Sequence, residues 1–475
     1  MKLLALTLSA LSLVALTLKT NDAHASTSKF RVNKEFPGEY SKKFAASVGE
    51  LDNPLPPPTA FTFKQVIDHA RPKSSPTFTQ NYWVSPGYST GENSPVILYM
   101  CGEAACSAKD VTYMLPWAQS IGAAVVVIEH RYYGASLPFA QNTTANLKWL
   151  TMPQALADFA SIVRYLKTTQ KMNGPWIATG GSYAGMLSSA LRTQYPNLFT
   201  GAWSSSAPLK VEEDYQGYDA QMTADIGGQC ADSLRKVVAF AEQSVANPAD
   251  FAALRTRFLS DTLTDADDFL FGIVDVAAAA VQYRMTARLC DSFKTADPVE
   301  DYAAFLKDMA DNIGYLTTSY SFATIMDTTA GSASSDGRAF VYQQCNEIGL
   351  FQTANSDVMK SVRSQRTNMD YMRKGCERAF GKRFVAETKS TQRRYFDPVI
   401  HGITTEVYYT NGSLDPWAPL GISIEAGTWT NKYVYAYTIN GSSHTDDLSY
   451  KRKDKTPELN DAAAYVQLLM RKWSR

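Results

Sequence analysis

A chain of 475 residues with 45% apolar residues and no net formal charge has ordinary globular composition, ample for a large core. The balanced charge offers no clustered basic face of the kind that a nucleic-acid partner needs. The one basic run, KRKDK at 451–455, is short and interrupted by an acid, and it reads as a solvated loop.

At the N-terminus, Met1 and Lys2 precede an apolar run at 3–18, and a polar stretch follows, ending in Ala23-His24-Ala25. A basic start, a short apolar region and an A-x-A site predict a signal peptide over 1–25. The run is shorter than the roughly 20 residues that a spanning helix needs, and no later segment is apolar for long enough. Residues 26–75 read as loop, with a proline-rich run at 53–58. Strands are expected at 78–84 (FTQNYWV), 96–100 (VILYM), 123–129 (AAVVVIE), 176–179 and 202–205, and helices at 109–121, 152–169 and 185–195. The wholly apolar runs suit a parallel sheet covered on both faces. Strands alternating with helices predict an α/β fold.

The pattern changes after Pro208. Helical stretches at 233–245, 272–289 and 298–316 make residues 209–395 a helical cap inserted into the core. Alternation resumes with strands at 404–410 and 433–439 and a closing helix at 457–473. The expected domains are therefore a first core part over 26–208, the cap over 209–395 and a second core part over 396–475. A secreted chain makes the six cysteines, Cys101, Cys106, Cys230, Cys290, Cys345 and Cys376, a disulfide set rather than a zinc site, since histidines are lacking nearby. Cys101 with Cys106 is a natural loop bridge, and the other four staple the cap in a pairing that the sequence leaves open. Glycosylation sequons stand at Asn142, Asn411 and Asn440, and Asn142 is the one farthest from the candidate catalytic residues.

The chemistry begins where the strand 176–179 runs into Gly180-Gly181-Ser182-Tyr183-Ala184-Gly185 and then a helix. Strand, sharp turn and helix, with serine at the turn, expose a strained nucleophile. The Tyr183 N–H at the helix N-terminus is a candidate oxyanion donor. A strict G-x-S-x-G has glycine at 184, where this chain has alanine. No lysine follows the glycines, which disfavours a phosphate-binding loop. A nucleophilic serine needs a base. Of five histidines, His24 leaves with the signal, and His69 and His130 precede the serine. In an α/β-hydrolase the order is Ser, then acid, then His. His401 precedes the strand 404–410, so its loop geometry is wrong. His444 follows the last strand. Asp415 follows the strand before it and is the candidate orienting acid; Asp446 and Asp447 lie too close to His444 to fill the usual separate loop. Gly102, or Glu103, after VILYM is the candidate second oxyanion donor. Trp417 and Glu103 are expected in the substrate pocket. No cofactor or metal is implied.

GGSYAGMLSSALRTQYPNLFTGAWSSSAP (180–208) resembles the active-serine region of the serine peptidase family of lysosomal Pro-X carboxypeptidase, dipeptidyl-peptidase II and thymus-specific serine peptidase. FTQNYWV (78–84), IEHRYYG (128–134), QALADFA (154–160), YQQCNEIGLFQT (342–353), NGSLDPW (411–417) and GSSHTDDL (441–448) match it in the family's order. YQQCNEIGLFQT is closest to the thymus-specific branch. The resemblance implies a triad on Ser182, Asp415 and His444, and an acid-active, secreted or lysosomal peptidase that cuts peptides after proline or alanine as an exopeptidase. The partners expected are a peptide substrate, no nucleic acid and no membrane, with a homodimer as the assembly allowed for. Two rival readings are an ester hydrolase on the same fold and a catalytically silent secreted binding protein.

Overall fold

The computed structural model describes residues 55–319, 321–423, 429–448 and 456–475. The expected signal segment and the KRKDK run lie outside the described residues. Eight strands form one sheet: β1 (Thr59–Val66), β2 (Thr77–Ser85), β3 (Val96–Met100), β4 (Ala124–Ile128), β5 (Trp176–Gly181), β6 (Gly201–Ser205), β7 (Val407–Gly412) and β8 (Tyr435–Ile439). Their order is β1-β2-β4-β3-β5-β6-β7-β8. The β1–β2 and β2–β4 pairs are antiparallel and the rest are parallel.

The mostly parallel sheet carries helices on both faces, as an α/β-hydrolase core does. The period-2 alternation of strand side chains divides β3 and β4 between two cores. Leu98 and Val126 pack with Phe159 and Leu187, from helices α2 (Met152–Thr169) and α3 (Ser182–Gln194), whereas Ile97 and Val125 pack with Trp117 and Val466, from α1 (Leu115–Ile121) and α11 (Pro457–Trp473). Every residue of β4, β6 and β7 is buried, which is why these strands are apolar or small throughout rather than alternating.

Between β6 and β7 the described residues form helices and turns: α4 (Gly217–Ile226), α5 (Gly228–Ser244), α6 (Pro248–Arg257), α7 (Ala266–Gln282), α8 (Pro298–Asp308), α9 (Ser335–Gln343) and α10 (Met369–Phe380). Their starts are written in the sequence. Asn247, Asp265, Asp297 and Asn368 cap α6, α7, α8 and α10 by accepting from the first free N–H groups, and proline opens α6 and α8, where the missing N–H has no helical partner anyway. Disulfides join Cys101 to Cys106, Cys230 to Cys290 and Cys345 to Cys376.

Four sequence expectations are corrected. Residues 59–66, expected as loop, form β1, which pairs along its whole length with β2; its alternation (TAFTFKQV) stacks Phe61 on Tyr82 at 5.3 Å, but the proline-rich run just before it masks the signal. The segment 109–121 is a tight 3-10 turn, Ala108–Tyr113, followed by α1, which restarts at a proline near its first position. Helix 272–289 stops at Gln282, because Arg284 turns left-handed at φ 61°. Helix 298–316 ends at Asp308 and unwinds through a π turn to Gly314 at φ 76°.

Candidate active site

β5 ends at Gly181 and α3 begins at Ser182 itself, earlier than the residue-185 start expected from the sequence. Ser182 takes φ +56°, a left-handed conformation that an L side chain adopts only where its surroundings enforce it. The enforcement is visible at Gly180: a Cβ there would lie 2.5 Å from the Ala184 carbonyl oxygen and 2.8 Å from the Ala184 methyl. Ala184 is therefore tolerated in place of glycine because its neighbours are glycines. One of them is Gly102, at φ +70°, whose own Cβ position lies 3.2 Å from the Ala184 methyl and 3.3 Å from the Ala184 nitrogen. The loop after β3 and the first turn of α3 thus meet at the two candidate oxyanion positions, Gly102 and Tyr183.

Asp415 follows β7, and His444 follows β8. His444 Nδ1 lies 2.8 Å from Asp415 Oδ2. The carboxylate can only accept, so Nδ1 carries the proton and Nε2 the lone pair. Nε2 is buried with no hydrogen-bond partner. The second oxygen of Asp415 accepts the Trp417 backbone N–H at 2.9 Å. Asp415 is 0% exposed and His444 4%, so this hydrogen bond is shielded from water. The rival residues are occupied elsewhere. Asp446 accepts the Ser443 N–H, and Asp447 accepts the Ser205 hydroxyl at 2.6 Å. His69 is held at 2.7 Å by Asp158, which also pairs with Arg131. His130 is fully buried, and burial pushes its pKa down to about 4. His401 is exposed at the end of a short helix.

The helical insertion holds this pair. The Gln282 carbonyl, at the end of α7, accepts the His444 N–H at 3.1 Å, and the Gln282 side chain accepts both the Trp417 indole N–H at 2.9 Å and the Tyr218 hydroxyl at 2.8 Å. Tyr283 sets its ring edge-on to His444 at 6.1 Å. On the Ser182 side, the Gln343 amide donates to the Tyr183 hydroxyl at 2.6 Å and accepts from the Tyr133 hydroxyl, while Tyr183 reaches His130 Nε2 at 3.3 Å. Neither Gln282 nor Gln343 was singled out by sequence reasoning. Gln343 lies within the quoted YQQCNEIGLFQT stretch, and Gln282 is the polar end of an Ala-Val helix; only tertiary contact gives them meaning.

A cavity opens over Ser182, with Glu103, Tyr218, Phe271, Asp275, Gln282 and Trp417 in its walls. Glu103 and Trp417, both expected there, do line it. Trp417 stacks on Tyr215 at 5.5 Å and meets Tyr218 edge-on at 5.0 Å. Burial raises the pKa of Glu103, against the pull of its own loop N–H and of His444. Burial also raises Asp275, against Arg363. Among the described residues one group has metal-ligand spacing, Cys101, Cys106 and Asp110, but its two sulfurs are joined in a disulfide and offer no thiolate. No helix of the described residues is long and apolar enough to cross a membrane.

Two sequons are corrected. Asn142 is 1% exposed, its amide donates to Ser335, and its carbonyl accepts from Arg338. Asn411 is 2% exposed and donates to the Ile422 carbonyl. Neither side chain has room for a glycan in the fold. Asn440 is exposed.

A mostly parallel sheet with a left-handed serine at the end of β5 and a buried His-Asp pair after β7 and β8 defines a member of the α/β-hydrolase class. Residues 65–466 match the family model described as Serine carboxypeptidase S28, and the chain belongs to that serine peptidase family. Among its relatives are the probable serine protease EDA2 of Arabidopsis thaliana, 31% identical over 75% of this chain and 74% of the relative, and the thymus-specific serine protease of Mus musculus, 27% identical over 86% of each chain. The lysosomal Pro-X carboxypeptidase of Pongo abelii is 29% identical over 87% of this chain and 88% of its own. A solved esterase from Pyrobaculum calidifontis is 9% identical over 95% of each chain, with a TM-score of 0.39.

Proposed function

We propose that this protein hydrolyses peptides after proline, or after alanine, by acyl transfer through Ser182. The observation that carries the reading is the buried, unpartnered Nε2 of His444, oriented by Asp415, in a site whose cavity is walled by Ser182. His444 takes the serine proton as Ser182 attacks the scissile carbonyl. The developing oxyanion is met by the Tyr183 N–H and by a donor at Gly102. His444 then protonates the leaving amine, and water repeats the sequence on the acyl-enzyme. Asp415 stays ionised and stabilises the imidazolium. The aromatic walls around Trp417 suit the flat, apolar ring of proline.

We further read the enzyme as an exopeptidase working in a secretory or lysosome-like compartment. The apolar run behind Lys2, the three disulfides and the relative named as lysosomal support that location. Fluorophosphonate labelling lost in Ser182→Ala, together with cleavage of Ala-Pro amide reporters, is the expected result. Turnover of short-chain esters without any amide cleavage would overturn the peptidase assignment, and absence of labelling in the folded protein would overturn the nucleophile.

A further inference from the structure

Among the described residues, the cavity over Ser182 is lined by two carboxylates and by neither lysine nor arginine. The two acids differ in what faces them. Asp275 has a counter-ion: Arg363 lies 3.7 Å away, and the Tyr315 hydroxyl donates to it at 2.9 Å. Among the described residues no such cation pairs with Glu103. The groups acting on it are its own backbone N–H and His444, and its field is felt by the hydroxyls of Tyr183 and Tyr283. A partly buried ionised carboxylate without a counter-charge is costly, and that cost is relieved when a cation arrives.

The loop presents this carboxylate rigidly. Glu103 lies in the small ring closed by Cys101–Cys106. The ring is tied to its surroundings: the Cys106 N–H donates to Glu129 Oε1 at 3.0 Å, and the Ala105 N–H reaches the Asp336 carboxylate. Gly102 seats the loop against the first turn of α3. The aromatic side chains of Tyr218, Phe271 and Trp417 line the same cavity, with the Arg363 guanidinium already seated over the Tyr218 and Phe271 rings.

We propose that Glu103 receives a positively charged group of the peptide substrate, either its α-ammonium or the ammonium or guanidinium of a basic side chain, and thereby sets which bond lies over Ser182. The inference rests on the peptidase reading above. Because Glu103 and Ser182 line the same cavity, the anchored cation belongs to a residue adjacent to the scissile bond or one further along, given about 3.5 Å of chain per residue.

Three amide reporters with one leaving group test this: Ala-Pro with a free N-terminus, acetyl-Ala-Pro, and acetyl-Lys-Pro. The wild type is expected to prefer one cationic reporter over acetyl-Ala-Pro, mainly through KM; which one it prefers identifies the source of the charge. In Glu103→Gln the ratio of kcat/KM between cationic and neutral reporters is expected to fall roughly 10- to 100-fold, the range of a hydrogen bond to a charged group, whereas Glu103→Asp retains a preference. Fluorophosphonate labelling of each variant reports an intact site. A ratio that survives in Glu103→Gln overturns the anchor, and so does a wild type that handles all three alike; neither touches the peptidase reading. Wild-type protein that labels but cleaves none of the three overturns the peptidase reading, and the anchor with it.

Discussion

Replacing Gln343 by leucine tests whether the helical insertion stabilises the nucleophile turn. Gln343 is 0% exposed, Tyr133 0% and Tyr183 3%, so water does not reach the bonds that the amide makes. Leucine has similar volume and creates little cavity, which isolates the polar term. Two buried hydroxyls lose the partner they have in Gln343. Tyr183 keeps His130 Nε2, at 3.3 Å, as an acceptor, so its share is the smaller. At about 0.5–1.5 kcal/mol for each hydrogen bond lost, the sum is about 1–3 kcal/mol. Tyr183→Phe removes the hydroxyl but strands the Gln343 amide. In the double variant both ends of that bond are apolar, so part of each single loss is recovered, and a coupling of about 1–2 kcal/mol is expected for residues in direct contact. Denaturation midpoints of the four proteins measure it, with fluorophosphonate labelling rates alongside, because Tyr183 adjoins Ser182 in the chain. Additive losses, to within about 0.5 kcal/mol, would refute the linkage, as would a Gln343→Leu protein as stable as the parent.

Glu347 is buried beside the start of α2, where it accepts the Met152 N–H at 2.8 Å, and burial raises its pKa to about 7. In the unfolded chain it loses its proton near pH 4.3, so between there and about pH 7 the folded state holds more protons and stability falls as pH rises. Burial of His130 acts oppositely, through a pKa lowered to about 4; the gain in midpoint of Glu347→Gln over the parent, larger at pH 8 than at pH 5, therefore isolates Glu347, and a constant gain would contradict the argument. The disulfides should separate stability from activity. Loop-closure entropy assigns about 2 kcal/mol to the short Cys101–Cys106 ring and about 4 kcal/mol to the long Cys230–Cys290 loop, yet the paired Cys→Ser change at 101 and 106 should cost more kcat/KM, because that ring carries Gly102 and Glu103; an activity order following the stability order would count against it. On expression through a glycosylating pathway, Asn440→Gln should remove the N-glycan mass found by mass spectrometry, and a glycan on Asn142 would contradict its burial.

The sheet was legible because its strands are buried on both faces, and a run such as VILYM has no other comfortable environment in a parallel sheet. What stayed hidden were features set by long-range contact. β1 carries polar residues on its open face and borrows order from β2. The helix breaks after Gln282 and Asp308 come from left-handed residues, and only Gly314 is a glycine that would announce one. The sequence favours Asn142 as a sequon because it lies far from the candidate catalytic residues, yet contacts far along the chain, Ser335 and Arg338, bury it.

The candidate site divides along the same line. Ser182, Asp415 and His444 could be chosen from strand ends and chain order, since each sits on a loop at the carboxyl end of a parallel strand, where backbone and helix termini converge. The residues that hold them could not. Asp415 and His444 are tied through Trp417 and Gln282 to α4 and α7, and Ser182 is tied through Tyr183 and Gln343 to α9. Both ties end in the insertion, and both use a glutamine: the Gln282 oxygen accepts from two groups at once, and the Gln343 amide donates to one and accepts from another, so each bridges two groups that the core alone leaves apart. A region that only covered the site would make apolar contacts with it; here the insertion supplies the acceptor for the His444 N–H and the donor for the Tyr183 hydroxyl. Movement of the insertion relative to the sheet would therefore change the geometry of the His-Asp pair and of the nucleophile turn together, which gives substrate seated against α7 and α9 a direct mechanical route to both.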